Sequence, residues 1–333
     1  MDEDIKNNEV ILKLENIKKY FPVQKSLIDQ IFAGKIEYVR AVDDVSITIK
    51  RGEAFGLAGE SGSGKTTIGR LAIGLEELTE GKANFDGMDL GTLSPEELRK
   101  LRRRMQVIFQ DPMASLNPRM SLGNTVMQGL KIHYPEKADK HRDMVLTMFE
   151  KVGLTPPLFY YNKYPHQISG GQRQRVVIAR ALITQPDLVL ADEPVAMADV
   201  SVRALLLDLM LHLKDEFDLT YLFITHDLAT AKYICDRIGI LYLGKLAEVS
   251  TVKEVYQHPL HPYTRALLAA VPVPDPKKRR TEPMPKGEIP NPIDPPSGCR
   301  FHPRCPIARP DCSEIEPQLR ELRPGHFVAC RYA

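Results

Sequence analysis

The sequence has no tryptophan and only 7% aromatic residues, and nowhere does it hold the roughly 18 consecutive apolar residues that a membrane-spanning helix needs. It is predicted not to cross a bilayer by itself. A dominant charge is missing too. With 45 basic and 43 acidic side chains the formal net charge is +2, so no bulk field attracts a polyanion and nucleic-acid binding gets no support. The acidic, polar stretch Met1–Glu9 is unlike a secretory leader, which predicts a cytosolic chain unless a partner holds it at a membrane. Cysteine is scarce for most of the length: Cys235 stands alone, and Cys299, Cys305, Cys312 and Cys330 crowd the end. In a cytosolic setting such crowding favours metal or cluster ligation over disulfides.

What is present is ordinary for a folded protein. Hydrophobic residues make up 43% and charged residues 26% of 333 positions, enough for one large domain plus an appendage. Short apolar, β-branched runs recur between helical stretches at Ala54–Ala58, Val107–Phe109, Leu188–Ala191, Tyr221–Thr225 and Ile238–Leu243. That rhythm predicts an α/β fold with a largely parallel sheet buried on both faces. Thr66–Leu75 and Gly170–Thr184 read as helices, and Val10–Leu14 and Val39–Ile49 as strands of an antiparallel β flank. Ser94–Arg104 and Leu122–Val152 lack strand character, so a helical insertion is expected inside the α/β core. Nine prolines between Val271 and Gly298, with the basic run Lys277–Arg280, exclude a helix or central strand there and predict a linker or extended strap.

Two motifs carry chemistry. Gly59-Glu-Ser61-Gly62-Ser63-Gly64-Lys65-Thr66, followed by Thr67, fits G-x-x-x-x-G-K-[ST] between an apolar strand and a helix. Its glycines let backbone N–H groups curve around phosphate oxygens, Lys65 reaches the terminal phosphates, and Thr66 suits Mg²⁺. Downstream, the apolar run from Leu188 ends in Asp192 and Glu193. On a strand ending beside the phosphate loop, Asp192 can hold Mg²⁺ or its water, and Glu193 can orient or deprotonate an attacking water. Hydrolysis of a nucleoside triphosphate is the expectation. A second anion site follows from Ser169, Gly170, Gly171 and Gln172 at a helix N-terminus.

Ile168-Ser-Gly-Gly-Gln172 resembles the signature motif of ABC ATPases, and further matches follow in family order. The resemblance implies that the signature of one subunit completes the ATP site of another in a head-to-tail dimer. It also implies that Gln110 is the glutamine that senses Mg²⁺, His226 contacts the γ-phosphate, and Phe21 stacks on adenine, with Tyr20 the neighbouring alternative. Asp199 matches the acid that communicates across the dimer, although family members usually carry serine at Ala196 and a larger apolar residue at Ala198. A catalytic set of Glu193, His226 and Gln110 results. Nucleotide contacts are expected from Phe21, Gly59, Ser61 to Thr67, Gln110, Asp192, Ser169 to Gln172 and Asp199.

The resemblance narrows to ATP-binding subunits of dipeptide and oligopeptide importers. The lengthened loop Val23–Tyr38, the segment Phe109-Gln-Asp-Pro-Met-Ala-Ser-Leu-Asn-Pro-Arg119 and His261-Pro-Tyr-Thr-Arg-Ala-Leu-Leu268 are similar to that branch. So is the tail with its C-x5-C-x6-C-x17-C spacing, which in some members holds a [4Fe-4S] cluster. Four thiolates suit that cluster and suit Zn²⁺ equally by ligand type. His302 and His326 are further possible ligands, and Cys235 reads as a buried small hydrophobe.

What the resemblance implies is an ABC ATPase domain over 10–258, with a helical insertion at about 111–175, followed by an importer-type extension over 259–333. The expected function is ATP-driven import of dipeptides or oligopeptides, with a second ATPase subunit, two transmembrane permeases and, indirectly, an extracytoplasmic binding protein as partners. The expected place is the cytoplasmic face of the membrane. Other cargoes, nickel complexes or sugars, and a soluble non-transport ABC ATPase are the competing readings. The latter proteins tend to carry a long coiled-coil insertion or two cassettes, which this sequence lacks.

Overall fold

The computed structural model describes residues 9–23, 37–271 and 287–333. Lys277–Arg280 and most of the lengthened loop after Phe21 lie outside the described residues. Along the chain come β1 (Val10–Pro22), β2 (Tyr38–Lys50), β3 (Ala54–Ala58), α1 (Lys65–Ala72), β4 (Glu80–Phe85), β5 (Met88–Asp89), α2 (Pro95–Leu101) and β6 (Met105–Ile108). Next are α3 (Pro112–Ser115), α4 (Leu122–His133), α5 (His141–Lys151), α6 (Pro157–Tyr161), α7 (Gly170–Leu182), β7 (Leu188–Asp192), α8 (Val200–Phe217) and β8 (Thr220–Thr225). The chain continues through α9 (Leu228–Ile234), β9 (Arg237–Tyr242), β10 (Lys245–Thr251), α10 (Val252–Gln257), α11 (Pro262–Ala270), β11 (Arg320–Arg323) and β12 (His326–Val328).

The described residues form two compact units, one built from those within 1–11, 50–54 and 92–224, the other from those within 12–49, 55–91 and 225–333. In the first, β8, β7 and β6 run parallel, with Leu188 opposite both Thr220 and Met105. Strand β8 is buried along its length and β7 up to Ala191, as continuous apolar runs covered on both faces should be. The helical segment predicted between the phosphate loop and the signature is present as α2 to α6. Ser94 opens α2 with a full capping box and Ser121 caps α4.

In the second unit β2, β1, β4 and β5 form the antiparallel flank. Leu12 sits opposite Phe85 and Leu14 opposite Ala83, which puts apolar side chains on one buried face. Strand β3 pairs in parallel with β9, and β9 turns back antiparallel into β10. Cys235 is buried, and its sulfur sits where a side chain on Gly56 would press, which fits its reading as a small hydrophobe.

The predicted elements are found with shifted ends. Strand β1 extends eight residues beyond Leu14, and α1 stops at Ala72 rather than Leu75 because Gly74 has a φ of 64°. The sequence reading missed β4, β5, β10 and the tail hairpin β11–β12, which pairs antiparallel to β10 through Val328 opposite Glu248. Here the tail is part of a sheet. Its buried seam holds Glu248, whose carboxylate takes His326 Nε2 at 2.6 Å and backbone N–H groups of Leu260 and His261 at 2.9 and 2.8 Å. His326 bonds Glu248 through Nε2 and is not among the residues that line the cysteine cavity.

Candidate nucleotide site

Within the second unit the chain leaves β3 and curls through Gly59–Gly64 into α1. Gly64 precedes the helix with φ 104°, and a side chain there would run into the Ala41 carbonyl, so only glycine fits. The Ser63 carbonyl is held by the Gly244 N–H at 2.8 Å. Lys65 is buried, and its ammonium donates to the carbonyls of Gly59 at 2.8 Å and Glu60 at 2.9 Å and to Ser63 Oγ at 3.4 Å. Lys65 is thus bonded back onto its own loop at the N-terminus of α1.

The same unit carries the two aromatic candidates. The Tyr20 hydroxyl donates to Asp43 Oδ1 at 2.6 Å, while the Phe21 ring has the Lys19 ammonium 5.0 Å from its centre. Burial, then the Asp43 carboxylate, pushes the Tyr20 phenol upward, so it stays a neutral donor. His226 leaves β8 exposed, and the turn behind it is fixed by Asp227, which caps α9 through the Ala229 N–H at 2.9 Å and takes Thr230 Oγ1 at 2.8 Å.

The first unit carries the other predicted residues. Strand β7 ends at Asp192. Glu193 turns out of it with φ 48°, its N–H bonded to the Ile224 carbonyl at 2.9 Å, and its carboxylate accepts from Gln110 Nε2 at 3.0 Å. Two predicted catalytic residues, 83 positions apart, are thus in contact. Ser169 caps α7 in a reciprocal box with Gln172, and Ser169 and Gly170 are exposed, so the free backbone N–H groups of a 13-residue helix face outward. A side chain on Gly171 would meet Val202 Cγ1 at 2.8 Å, whereas one on Gly170 meets nothing. Asp199 is the residue before α8, flanked by exposed Met197 and Val200, the latter 82% accessible.

Comparisons with known proteins now decide the family. A family model described as ABC transporter matches residues 42–196, and one described as oligopeptide/dipeptide transporter, C-terminal region, matches 247–312. The chain is 48% identical to the oligopeptide transport ATP-binding protein AppF of Bacillus subtilis, over 97% of this chain and 98% of the relative. The chain belongs to the ATP-binding subunits of oligopeptide ABC transporters. As a member, it is also 44% identical to OppF of Salmonella typhimurium, over 99% of this chain and 98% of the relative. Among solved structures, the dimeric ATP-binding cassette MJ0796 bound to ADP and Pi matches with a TM-score of 0.63 and 30% identity, covering 73% of this chain and 99% of that one. The fold of this importer ATPase is therefore that of an ABC cassette.

The tail's four cysteines come together only in part. All four line one cavity, with Phe301, His302 and Ile315 among its walls. Burial, reinforced by the neighbouring thiols, pushes Cys299 up to about 11 and raises Cys305 and Cys330. Yet among the described residues no group of three or more His, Cys, Asp or Glu is set to hold a metal ion. The expected [4Fe-4S] or Zn²⁺ ligand set is not supported as an assembled site. The donor set fits in kind, because four thiols share one cavity, but the thiols line its wall rather than converge as a ligand group. His302 lines the cavity, but its Nδ1 is bonded to the Cys299 carbonyl at 2.9 Å.

Sequence reasoning missed the residues that brace the phosphate loop. Glu60 was an unassigned position inside the motif. In the structure its carboxylate meets Arg304, 244 residues away, and its N–H donates to the Tyr263 hydroxyl at 2.9 Å. No local pattern could have signalled that pairing, since only the fold brings the tail back.

Proposed function

We infer that this chain is the ATP-binding and ATP-hydrolysing subunit that energises import of dipeptides or oligopeptides through partner permease subunits. Similarity along nearly the whole chain to oligopeptide transport ATP-binding proteins, the C-terminal region included, carries this reading. The longest described helix, α8, has 18 residues, so the long coiled-coil arm of soluble ABC ATPases finds no counterpart among the described residues. No described helix is long and apolar enough to cross a membrane. A peripheral position at the cytoplasmic face, held by permeases, follows from this function.

The roles assigned are these. Loop amides of Gly59 to Thr66 and the Lys65 ammonium bind phosphates, Phe21 stacks on the base while Tyr20 is occupied with Asp43, and His226 steadies the γ-phosphate. Thr66, Asp192 and Gln110 offer oxygen donors of the kind Mg²⁺ takes, and the bound ion would supply charge neutralisation on the phosphates. Glu193, held through its Gln110 contact, accepts the proton of the attacking water. Ser169 to Gln172 and Asp199 act on the ATP of a second ATPase subunit, identical or a sister, an assignment supported by the exposure of Ser169, Gly170 and Asp199 and by the dimeric state of the MJ0796 cassette. Residues 10–258 are assigned to the ATPase domain, with 111–175 as its helical insertion, and 259–333 to the importer-type extension.

Permease contact is assigned to the apolar side chains exposed near Gln110 and on the helical segment, Phe109, Met113, Leu158 and Phe159. The cavity lined by Cys299, Cys305, Cys312 and Cys330 is assigned to a [4Fe-4S] cluster, with Zn²⁺ the rival occupant. Oxygen-free purification with iron, sulfide and zinc analysis decides: stoichiometric iron and sulfide support the cluster, and zinc or an empty tail removes it.

The central test is ATP turnover by the assembled transporter with this subunit as Glu193→Gln. Loss of the proton acceptor lowers turnover by about a hundredfold to ten-thousandfold while nucleotide still binds. Undiminished hydrolysis would discard the base assignment.

A further inference from the structure

The tail touches the nucleotide-binding elements at two arginines, each beside a cysteine. Arg304 precedes Cys305 and is 9% exposed. Its two terminal nitrogens reach both carboxylate oxygens of Glu60, Nη1 to Oε2 at 2.8 Å and Nη2 to Oε1 at 3.0 Å. The guanidinium carbon lies 5.8 Å from the centre of the Tyr242 ring, which packs with Tyr263 and Phe301 at 4.7 and 5.3 Å. Glu60 is thus gripped at three groups: its carboxylate by Arg304, its N–H by the Tyr263 hydroxyl and its carbonyl by the Lys65 ammonium. Arg300, which follows Cys299, donates to the Leu243 carbonyl and to Asp43. The next residue, Gly244, holds the Ser63 carbonyl, and Asp43 holds the Tyr20 hydroxyl.

We propose that Arg304 is a positioning residue for ATP, fixing the phosphate loop through Glu60, with Arg300 as a second brace through Leu243 and Asp43. The inference rests on the assignment of Gly59–Thr66 as the phosphate loop. A loop rich in glycine loses much backbone freedom when its amides converge on phosphates, and a brace that holds it beforehand removes that cost from binding. A two-pronged arginine–carboxylate pair, largely shielded from water, supplies direction as well as strength, and lysine cannot reproduce it. Arg304 also neutralises a carboxylate inside a loop that must receive a polyanion. Removing the arginine therefore does two kinds of harm: it frees the loop and unmasks the Glu60 charge.

That double effect gives a test that a purely architectural role would not pass. The full chain, assembled with its transporter partners, is prepared unaltered and as R304Q, R304K, E60Q, E60Q/R304Q and K65A. KM for ATP, kcat, binding of a fluorescent ATP analogue and the thermal unfolding midpoint are measured. R304Q should raise KM about tenfold with kcat within about twofold, the signature of lost binding common to ground and transition states. R304K should raise it about threefold, charge kept and geometry lost. E60Q/R304Q should bind ATP better than R304Q, because the unmasked carboxylate is gone. R304Q and R304K that both fold and both keep the normal KM overturn the proposal, as does a double variant that is worse than R304Q. If R304Q does not fold, R304K alone decides. K65A separates the two layers: its loss of analogue binding upholds the phosphate-loop assignment whatever R304Q does, and normal binding by K65A overturns both.

Discussion

At the scale of single residues, backbone geometry and burial set what each side chain is able to do. Gly64 takes φ 104° with the Ala41 carbonyl against its missing Cβ, so Gly64→Ala must strain or displace the loop and should cost about 1–3 kcal/mol of stability, read by chemical denaturation, along with ATP binding. His261 is a different case. It is 3% exposed, opens α11 with Nδ1 accepting the Tyr263 N–H at 3.0 Å, and burial lowers its pKa from 6.5 to about 4. Well above pH 6.5 the imidazole is neutral in folded and unfolded chains alike and pH has no effect through it. As pH falls from about 6.5 to about 4, the unfolded chain takes up a proton that the folded chain refuses, so stability drops by an amount on the order of 3 kcal/mol. Denaturation midpoints compared at pH 7 and pH 4.5 should fall less in His261→Asn, which retains an N-cap acceptor but no titrating ring. An equal fall in both proteins would show that His261 is not the group responsible.

At the scale of elements, the sequence was most readable where one element fixes both structure and chemistry. The β3–loop–α1 unit, the acidic end of β7 and the capped start of α7 each follow from apolar runs, glycines and a serine at local spacing, and all three are present. Gln110 and Glu193 are each readable as candidates, but their contact is not, because nothing in 83 residues of separation dictates a 3.0 Å hydrogen bond. The edge hairpin β11–β12 escaped detection for a physical reason: Arg320–Arg323 is four exposed residues without apolar alternation, so its strand character comes from pairing partners rather than from its own pattern. Exposed helical surface makes a further prediction. Phe159 on α6 is 57% accessible and lies outside the core, so Phe159→Asp should leave the folding midpoint and nucleotide binding unchanged while lowering peptide-stimulated ATP turnover in the assembled transporter, as a permease contact requires. Full stimulation in that variant would move the permease contact elsewhere.

At the scale of the whole molecule, the proposed function gives the chain two incomplete nucleotide-binding faces, the loop Gly59–Thr66 and the exposed start of α7. If each ATP is shared, damage to the two faces should be complementary. Lys65→Ala spoils the loop and leaves the signature intact. Gly170→Asp does the reverse: a side chain at Gly170 meets no neighbour, so the fold tolerates it, while a carboxylate at the exposed helix start repels phosphate. Each variant alone should hydrolyse almost no ATP. Mixed in equal amounts and allowed to exchange, about half of the closed two-fold dimers contain one of each, and every such dimer has one site with both faces sound and one with neither. Turnover of the mixture should then climb to about a quarter of the unaltered level, half the dimers working at one of two sites. Recovery of that size means that a second copy of this chain completes the site. No recovery, with exchange verified by labelled chains, removes the self-paired arrangement and leaves a sister ATPase as the partner that lends its signature.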